Sequence, residues 1–359
     1  MNLNDLDRSK YVLIEADNPK FQYMGRIDFS NKKAPTVIYA GSTIRARFEG
    51  TSLKMAIRNK NNYYNNYIGY IIDNNFQGKI KVPKNNKEIV LDVASGLKDT
   101  VHDVIIFKRQ DGCHYFDFLG IILDKGKNIL RSEERSKRRI ECFGDSVSAG
   151  ELVEALKYVG KKDPEKHNGE YSNAWYSYSM MTARYLKAEI HNNAQGGLAL
   201  SDGTGYFRGP NYLGLESVYK KLKYNPEIEK CNEWDFSSYI PHVVIIALGQ
   251  NDNYPDDYIN TNMEKKRLWI EKYKEIVRDL RSKYPKALFV LITTILEHDI
   301  SWDYAIDDVQ KELRDPKVVR YKFERNGIAT PGHPRISESE EMAIELSRFI
   351  SSFGRDIWE

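Results

Sequence analysis

Cysteine is scarce in this sequence. The three that occur in 359 residues, Cys113, Cys142 and Cys231, stand far apart and cannot all pair. That excludes a disulfide framework, offers no metal-ligand spacing, and predicts packing cysteines in a reduced compartment. A dominant charge is also missing: 54 basic against 51 acidic residues leave a net charge of +3, and no basic block stands out. Nucleic acid is therefore not an expected partner. No apolar run approaches membrane-spanning length, which removes the membrane as a partner. The opening "MNLNDLDRSKYVLIEAD" lacks the basic start, apolar core and cleavage site of a secretory signal, so the expectation is a soluble, cytoplasmic protein. The chain is compatible with a homo-oligomer. Internal repeats and low-complexity tracts are absent too, so the length itself favours two ordinary domains.

Two regions differ in pattern. Residues 20–125 read as short strands: "STIRARF" alternates Ile44, Ala46 and Phe48 with polar positions, and "SLKMAI" repeats the alternation with Leu53, Met55 and Ile57. Gly50-Thr51 between them predicts a turn. Further strands are expected at 67–72, 87–93, 101–109 and 116–123, and together they predict an all-β sandwich of the jelly-roll type over residues 1–130. The charged stretch 124–139, "DKGKNILRSEERSKRR", is the expected linker. After it, part-apolar runs at 139–144, 188–193, 242–249 and 287–294 alternate with helical stretches. The clearest helix is 263–285, with Trp269, Tyr273, Ile276, Val277 and Leu280 at helical spacing. This alternation predicts an α/β domain over 131–359, a parallel sheet between two helical layers.

In such a sheet, sites form at the carboxyl ends of strands. The first run ends in Gly144-Asp145-Ser146, the second leads into "NNAQGG" with Gly196 and Gly197, and the third ends in Gly249-Gln250-Asn251-Asp252. Near the C-terminus, "TPGHPRISESEE" sets His333 before a final helix whose capping box is expected at Ser337 and Glu340. Each piece alone has a plainer reading: a serine there caps a helix, paired glycines mark turns, Asn-Asp makes an Asx turn, and a lone histidine packs. Jointly they supply what acyl transfer needs, namely an exposed serine, a histidine to take its proton and donors for an oxyanion. The Gly-x-Ser-x-Gly elbow is absent around Ser146, which argues against an ordinary α/β-hydrolase.

Gly-Asp-Ser, a following glycine, Gly-x-Asn-Asp and a C-terminal His-Pro, in that order, resemble the four blocks of the SGNH (GDSL) hydrolases. The resemblance implies a three-layer fold with Ser146 as nucleophile and His333 as general base. It also implies an oxyanion hole made of the Ser146 and Gly197 amides and the Asn251 side chain. The first half, "YMGRIDFSNKKAPTVIYAGSTIRARFEGTSLKMAI", with "HDVIIFKR" and "FLGI", is similar to the N-terminal β-sandwich of carbohydrate esterase family two. Members of that family remove acetyl groups from plant polysaccharides. The implied protein is an acetyl esterase acting on xylan- or mannan-type oligosaccharides or polysaccharides, with no metal or cofactor.

One departure affects the mechanism. Most SGNH enzymes place an aspartate two or three residues before the histidine, and here those positions are Pro331 and Thr330. The resemblance then implies a Ser-His dyad oriented by a backbone carbonyl, with Glu297, Asp299 and Asp303 as solvated loop charges. Asp145 and Asp252 are expected to be buried and structural. Sugar rings stack on aromatic faces, so Trp302 and Tyr254, in loops on the site's side, are the candidate substrate-binding residues. Two other readings stand beside this one. A lipid esterase or lysophospholipase needs a long apolar surface that "GQNDNYPDDY" and "EHDISWDY" do not offer, and a non-catalytic carbohydrate-binding protein would have lost the chemistry.

Overall fold

Apolar residues switch from even to odd positions on either side of Gly50, yet the chain does not turn there. In the computed structural model, which describes residues 1–208 and 211–359, one strand, β1 (Thr43–Asn61), runs through the switch. Its register against the next long strand slips between Gly50 and Ser52, where Gly50 takes a φ of +125° that side-chain-bearing residues avoid. A slip of this kind re-aims the side chains, so Ile44, Ala46, Phe48, Leu53, Met55 and Ile57 join one core cluster. The segments expected as separate strands at 87–93 and 101–109 likewise form one strand. The central order is β5 (His114–Asp124), β1, β4 (Glu88–Lys108), β2 (Tyr67–Ile72), β3 (Phe76–Lys81), all antiparallel, within a ten-stranded sheet among the described residues. This unit comprises Met1–Arg135 with two later segments, Asn168–Glu170 and Leu222–Asn232.

The second unit holds the remaining residues. Its five parallel strands lie in the order β7 (Glu189–Ala194), β6 (Arg139–Gly144), β8 (Val243–Ala247), β9 (Leu288–Ile292), β10 (Val318–Arg320). β8 and β9 are buried at every residue, as strands covered on both faces must be. Gly144 pairs with both Ala194 and Ala247, and Ala247 with Ile292, so four strands end in one row.

The helices of this unit are α1 (Ser146–Ala149), α2 (Tyr178–Tyr185), α3 (Met263–Lys283), α4 (Ile300–Leu313) and α5 (Ile336–Ser351). Helix α3 buries Trp269, Tyr273, Ile276, Val277 and Leu280, as their spacing predicts. Helix α5 starts earlier than expected. Glu338, not Glu340, folds back to accept from the amide of Arg335 at 2.8 Å, because Arg335 rather than Ser337 is the last non-helical residue.

Candidate active site

The turn after β6 resolves the two roles open to Ser146. Asp145, not Ser146, caps α1: its Oδ1 accepts from the amide of Val147 at 3.0 Å, satisfying an otherwise orphaned helix donor. Ser146 is thereby left as the first helical residue with a free-standing hydroxyl, and its Oγ lies 2.9 Å from Nε2 of His333. Asp145 is fully buried, and its Oδ2 also accepts from Nε2 of Gln250 at 2.6 Å. Loss of water raises its pKa to about 6 against these bonds. Asp252 is buried in the same way, accepting from the Leu200 amide at 2.9 Å and from Nε1 of Trp269 at 2.8 Å. Both aspartates hold loops in place.

The expected dyad is not what the structure contains. Nδ1 of His333 lies 2.6 Å from Oδ2 of Asp163, a carboxylate 170 positions away in sequence. Oδ1 of the same carboxylate accepts from the His333 amide at 3.0 Å and from the guanidinium of Arg335 at 2.7 Å. Burial alone would disfavour the imidazolium. The hydrogen bond to Asp163 and the charges of Glu151, Asp163 and Asp145 outweigh it, so the pKa of His333 is raised above 6.5. Asp163 is held well below the usual carboxylate range, because its bonds to His333 and Arg335 overcome its own desolvation.

Nothing in the local sequence announces Asp163. It stands in "GKKDPEKHNG", a polar stretch of turn-formers that reads as an ordinary surface loop. Two of the three carboxylates nearer in sequence have other partners. Asp299 caps α4 through the Ser301 amide at 2.8 Å and accepts from Asn260. Asp303 is buried rather than solvated, and it accepts from Thr293, Asn326 and Arg320 and contacts Nε2 of His298 at 3.1 Å. The backbone amide of Glu297 donates a hydrogen bond to the carbonyl of Thr330 at 2.9 Å.

Gly197 follows β7 in a loop tied back to β6, the strand that leads into Ser146, by the Gln195 amide, which donates to the carbonyl of Gly144 at 3.1 Å. With φ +74°, and with Tyr206 Cβ 2.8 Å from where a side chain would begin, this position requires glycine. Nδ2 of Asn251 donates to the carbonyl of Leu198 at 3.1 Å and to Oδ2 of Asp145 at 3.3 Å. Both of its hydrogens are thus engaged in this structure.

The two expected stacking residues part company. Trp302 is a correction: it lies inside α4 at 1% exposure, packed edge-on against Tyr258 and Trp269, and no sugar ring can reach it. Trp302, Ala305, Ile306 and Val309 recur at helical spacing, so the segment is an amphipathic helix that buries its tryptophan. Tyr254 is 37% exposed and stacks on Tyr206 with centroids 4.4 Å apart; Tyr206, which the sequence did not single out, is 55% exposed. The Tyr254 amide donates to the carbonyl of Asn251 at 3.3 Å, and the Tyr206 amide to that of Gly197 at 2.8 Å. Each tyrosine is therefore bonded to one of the candidate oxyanion residues. Among the described residues no group of three or more His, Cys, Asp or Glu side chains could hold a metal ion.

A hydroxyl, an imidazole and a carboxylate in hydrogen-bonded series can activate a serine towards an acyl carbon. The family description "Carbohydrate esterase 2 N-terminal" matches residues 23–132. Cellulase/esterase CelE of Acetivibrio thermocellus is 28% identical over 94% of this chain, which spans 40% of that protein's length. The acetylxylan esterase / glucomannan deacetylase of Cellvibrio japonicus is 26% identical over 93% of this chain and 89% of its own. The structure of a family two carbohydrate esterase from Clostridium thermocellum in complex with cellohexaose superposes with a TM-score of 0.78. It is 25% identical, over 93% of this chain and 98% of that one. Residues 23–132 thus carry a carbohydrate esterase 2 N-terminal domain, and over more than nine tenths of its length the chain is similar to family two carbohydrate esterases.

Proposed function

We propose that this protein is a serine carboxylic-ester hydrolase that removes O-acetyl groups from xylan- or mannan-type oligosaccharides. The observation that carries the reading is the continuous relay from Ser146 Oγ through His333 to Asp163, with contacts of 2.9 and 2.6 Å. As Oγ bonds to the acetyl carbonyl carbon, its proton passes to Nε2 of His333, and Asp163 holds the opposite face of the ring and stabilises the imidazolium. The imidazolium then protonates the departing sugar oxygen as the C–O bond breaks. Water, deprotonated by the same nitrogen, releases acetate and restores Ser146. The oxyanion is received by the amides of Ser146 and Gly197 and by Nδ2 of Asn251, which exchanges its longer bond to Asp145 for the substrate.

The exposed Tyr206–Tyr254 pair is the proposed surface for the sugar ring, since pyranose faces stack on aromatic rings. Named activities of the Cellvibrio japonicus relative support an acetylated xylan or glucomannan substrate. We also read the antiparallel unit as a jelly-roll-like sandwich, and the second unit as the SGNH-type catalytic domain, with a domain boundary near residue 130. The scarcity and wide spacing of cysteine in the sequence suit a reducing, cytoplasmic setting, where short imported oligosaccharides are better substrates than polymers.

Mass spectrometry of acetylated xylo- and manno-oligosaccharides before and after incubation tests the reading. Losses of acetyl groups are expected with the parent and none with Ser146→Ala. Ester cleavage by a folded Ser146→Ala protein would end the nucleophile assignment, and an inert parent would favour a non-catalytic carbohydrate-binding protein.

A further inference from the structure

Asp163 lies outside any helix or strand. Between the short 3-10 turn Leu156–Tyr158 and the one at Ala174–Tyr176, no regular element fixes the chain. A carboxylate on such a segment loses conformational entropy when it is held against an imidazole, so something else must hold it. The groups that do so converge from the entry to α5. The backbone of Gly332 faces the arm closely: a side chain there would start 2.5 Å from the carbonyl of Lys161 and 2.8 Å from the Asp163 amide. Glu338, whose Oε2 receives the Arg335 amide, uses Oε1 to accept from the Gly160 amide at 3.2 Å. Arg335 itself is fully buried, with Nη1 donating to the carbonyl of Leu152 at 3.3 Å and Nη2 to Oδ1 of Asp163 at 2.7 Å.

We propose that Arg335 is a positioning residue of the active site: its buried guanidinium fixes the carboxylate of Asp163, so that Oδ2 is presented to His333. The inference rests on the hydrolase reading above. The division of labour within the carboxylate supports it. Oδ1 takes Arg335 and the His333 amide, and Oδ2 is left for Nδ1 of His333. The planar guanidinium is held at two points, Nη1 on the carbonyl of Leu152 and Nη2 on Oδ1 of Asp163, so it fixes the direction as well as the distance of its approach to the carboxylate. The enzyme thereby recovers, from a remote loop, the acid that positions 330 and 331 do not carry.

The charges around the pair make the proposal testable by pH. His333 faces Asp163, Glu151 and Asp145, and Asp163 faces His333 and Arg335. If Arg335 positions Asp163, Arg335→Met frees the carboxylate, and the imidazolium loses its nearest anion. On a small acetyl ester kcat should fall at least ~10-fold with KM within about two-fold, and the acid limb of kcat/KM should move to lower pH. In an Asp163→Asn background the same substitution should cost little more, because the two residues act as one unit. Arg335→Lys should restore part of the loss. If Arg335→Met does not fold, Arg335→Gln, which can still donate to Leu152 but carries no charge, gives the same test.

A folded Met or Gln variant with unchanged kcat and an unmoved limb overturns the proposal. So does a limb that moves to higher pH, which means that Asp163 stays in place and the guanidinium only drew charge from it. Full additivity with Asp163→Asn overturns it as well. Ser146→Ala assayed in parallel keeps the two levels apart: if that variant retains activity, the hydrolase reading fails rather than the role of Arg335.

Discussion

The two halves of the site are held by different physics. Ser146, the Gly197 loop and Asn251 leave strands that end in one row, where Gly144 pairs with Ala194 on one side and Ala247 on the other. Backbone ladders set their positions, and side chains such as Asp145 only trim the turn. His333 and Asp163 come from segments outside the sheet, and side chains set their geometry: Oδ1 of Asp163 is bonded to Arg335, and Glu338 pins the arm at Gly160. A strand-end residue inherits its place from the fold. A loop residue has to be held by contacts made one at a time, and those contacts are open to single substitutions.

Asp163→Asn is the most severe way to break the second half without touching the first. The amide would favour the wrong imidazole tautomer, and a loss of turnover on the order of 10,000-fold is expected, with the folded state retained. Steady-state kinetics on 4-nitrophenyl acetate would read it, and a change of only a few-fold would return the site to a Ser-His dyad. The same assay against pH sharpens the point. Because its neighbouring carboxylates raise the pKa of His333 above that of an ordinary imidazole, the parent should lose activity as pH falls already at a higher pH than an unassisted histidine would dictate, as the ring takes up the proton it would accept from Ser146. The Asp163→Asn variant should show that limb at lower pH.

Within the strand-end half, losing an oxyanion contact should cost less than losing Asp163. Asn251→Ala removes one of the proposed oxyanion donors, and ~100-fold or more in kcat is the expected loss. Near-normal turnover would mean that the amide's bonds to Leu198 and Asp145 are its whole role.

The smallest effect on catalysis belongs to the tyrosine ledge. Tyr254→Ala with Tyr206→Ala should raise KM for acetylated oligosaccharides several-fold and leave 4-nitrophenyl acetate hydrolysis almost unchanged, since stacking on an aromatic face contributes ~1 kcal/mol. Trp302→Ala is the control. It should lower the denaturation midpoint, as removal of a buried tryptophan costs roughly 3–5 kcal/mol, with KM for both substrates unchanged in the folded protein.

By itself the sequence determined what short-range pattern can carry. Period-two alternation, the buried runs of β8 and β9 and the helical spacing of α3 follow from which faces must leave water; Gly-Asp-Ser, Gly197 and Asn251 are legible because they sit where strands end, and His333 because it stands just before the final helix. Patterns interrupted by an irregularity were misread: Gly50 looked like a turn because a slipped register and a hairpin leave the same phase change along the chain. Trp302 reads as available because polar neighbours mask the Trp302-Ala305-Ile306-Val309 spacing that buries it in α4. Asp163 was beyond any local signal. Its role comes from a contact closed across 170 positions and secured by a guanidinium buried at the start of another helix, so only the tertiary structure, which brings those groups within 3 Å of one carboxylate, decided which acid serves the histidine.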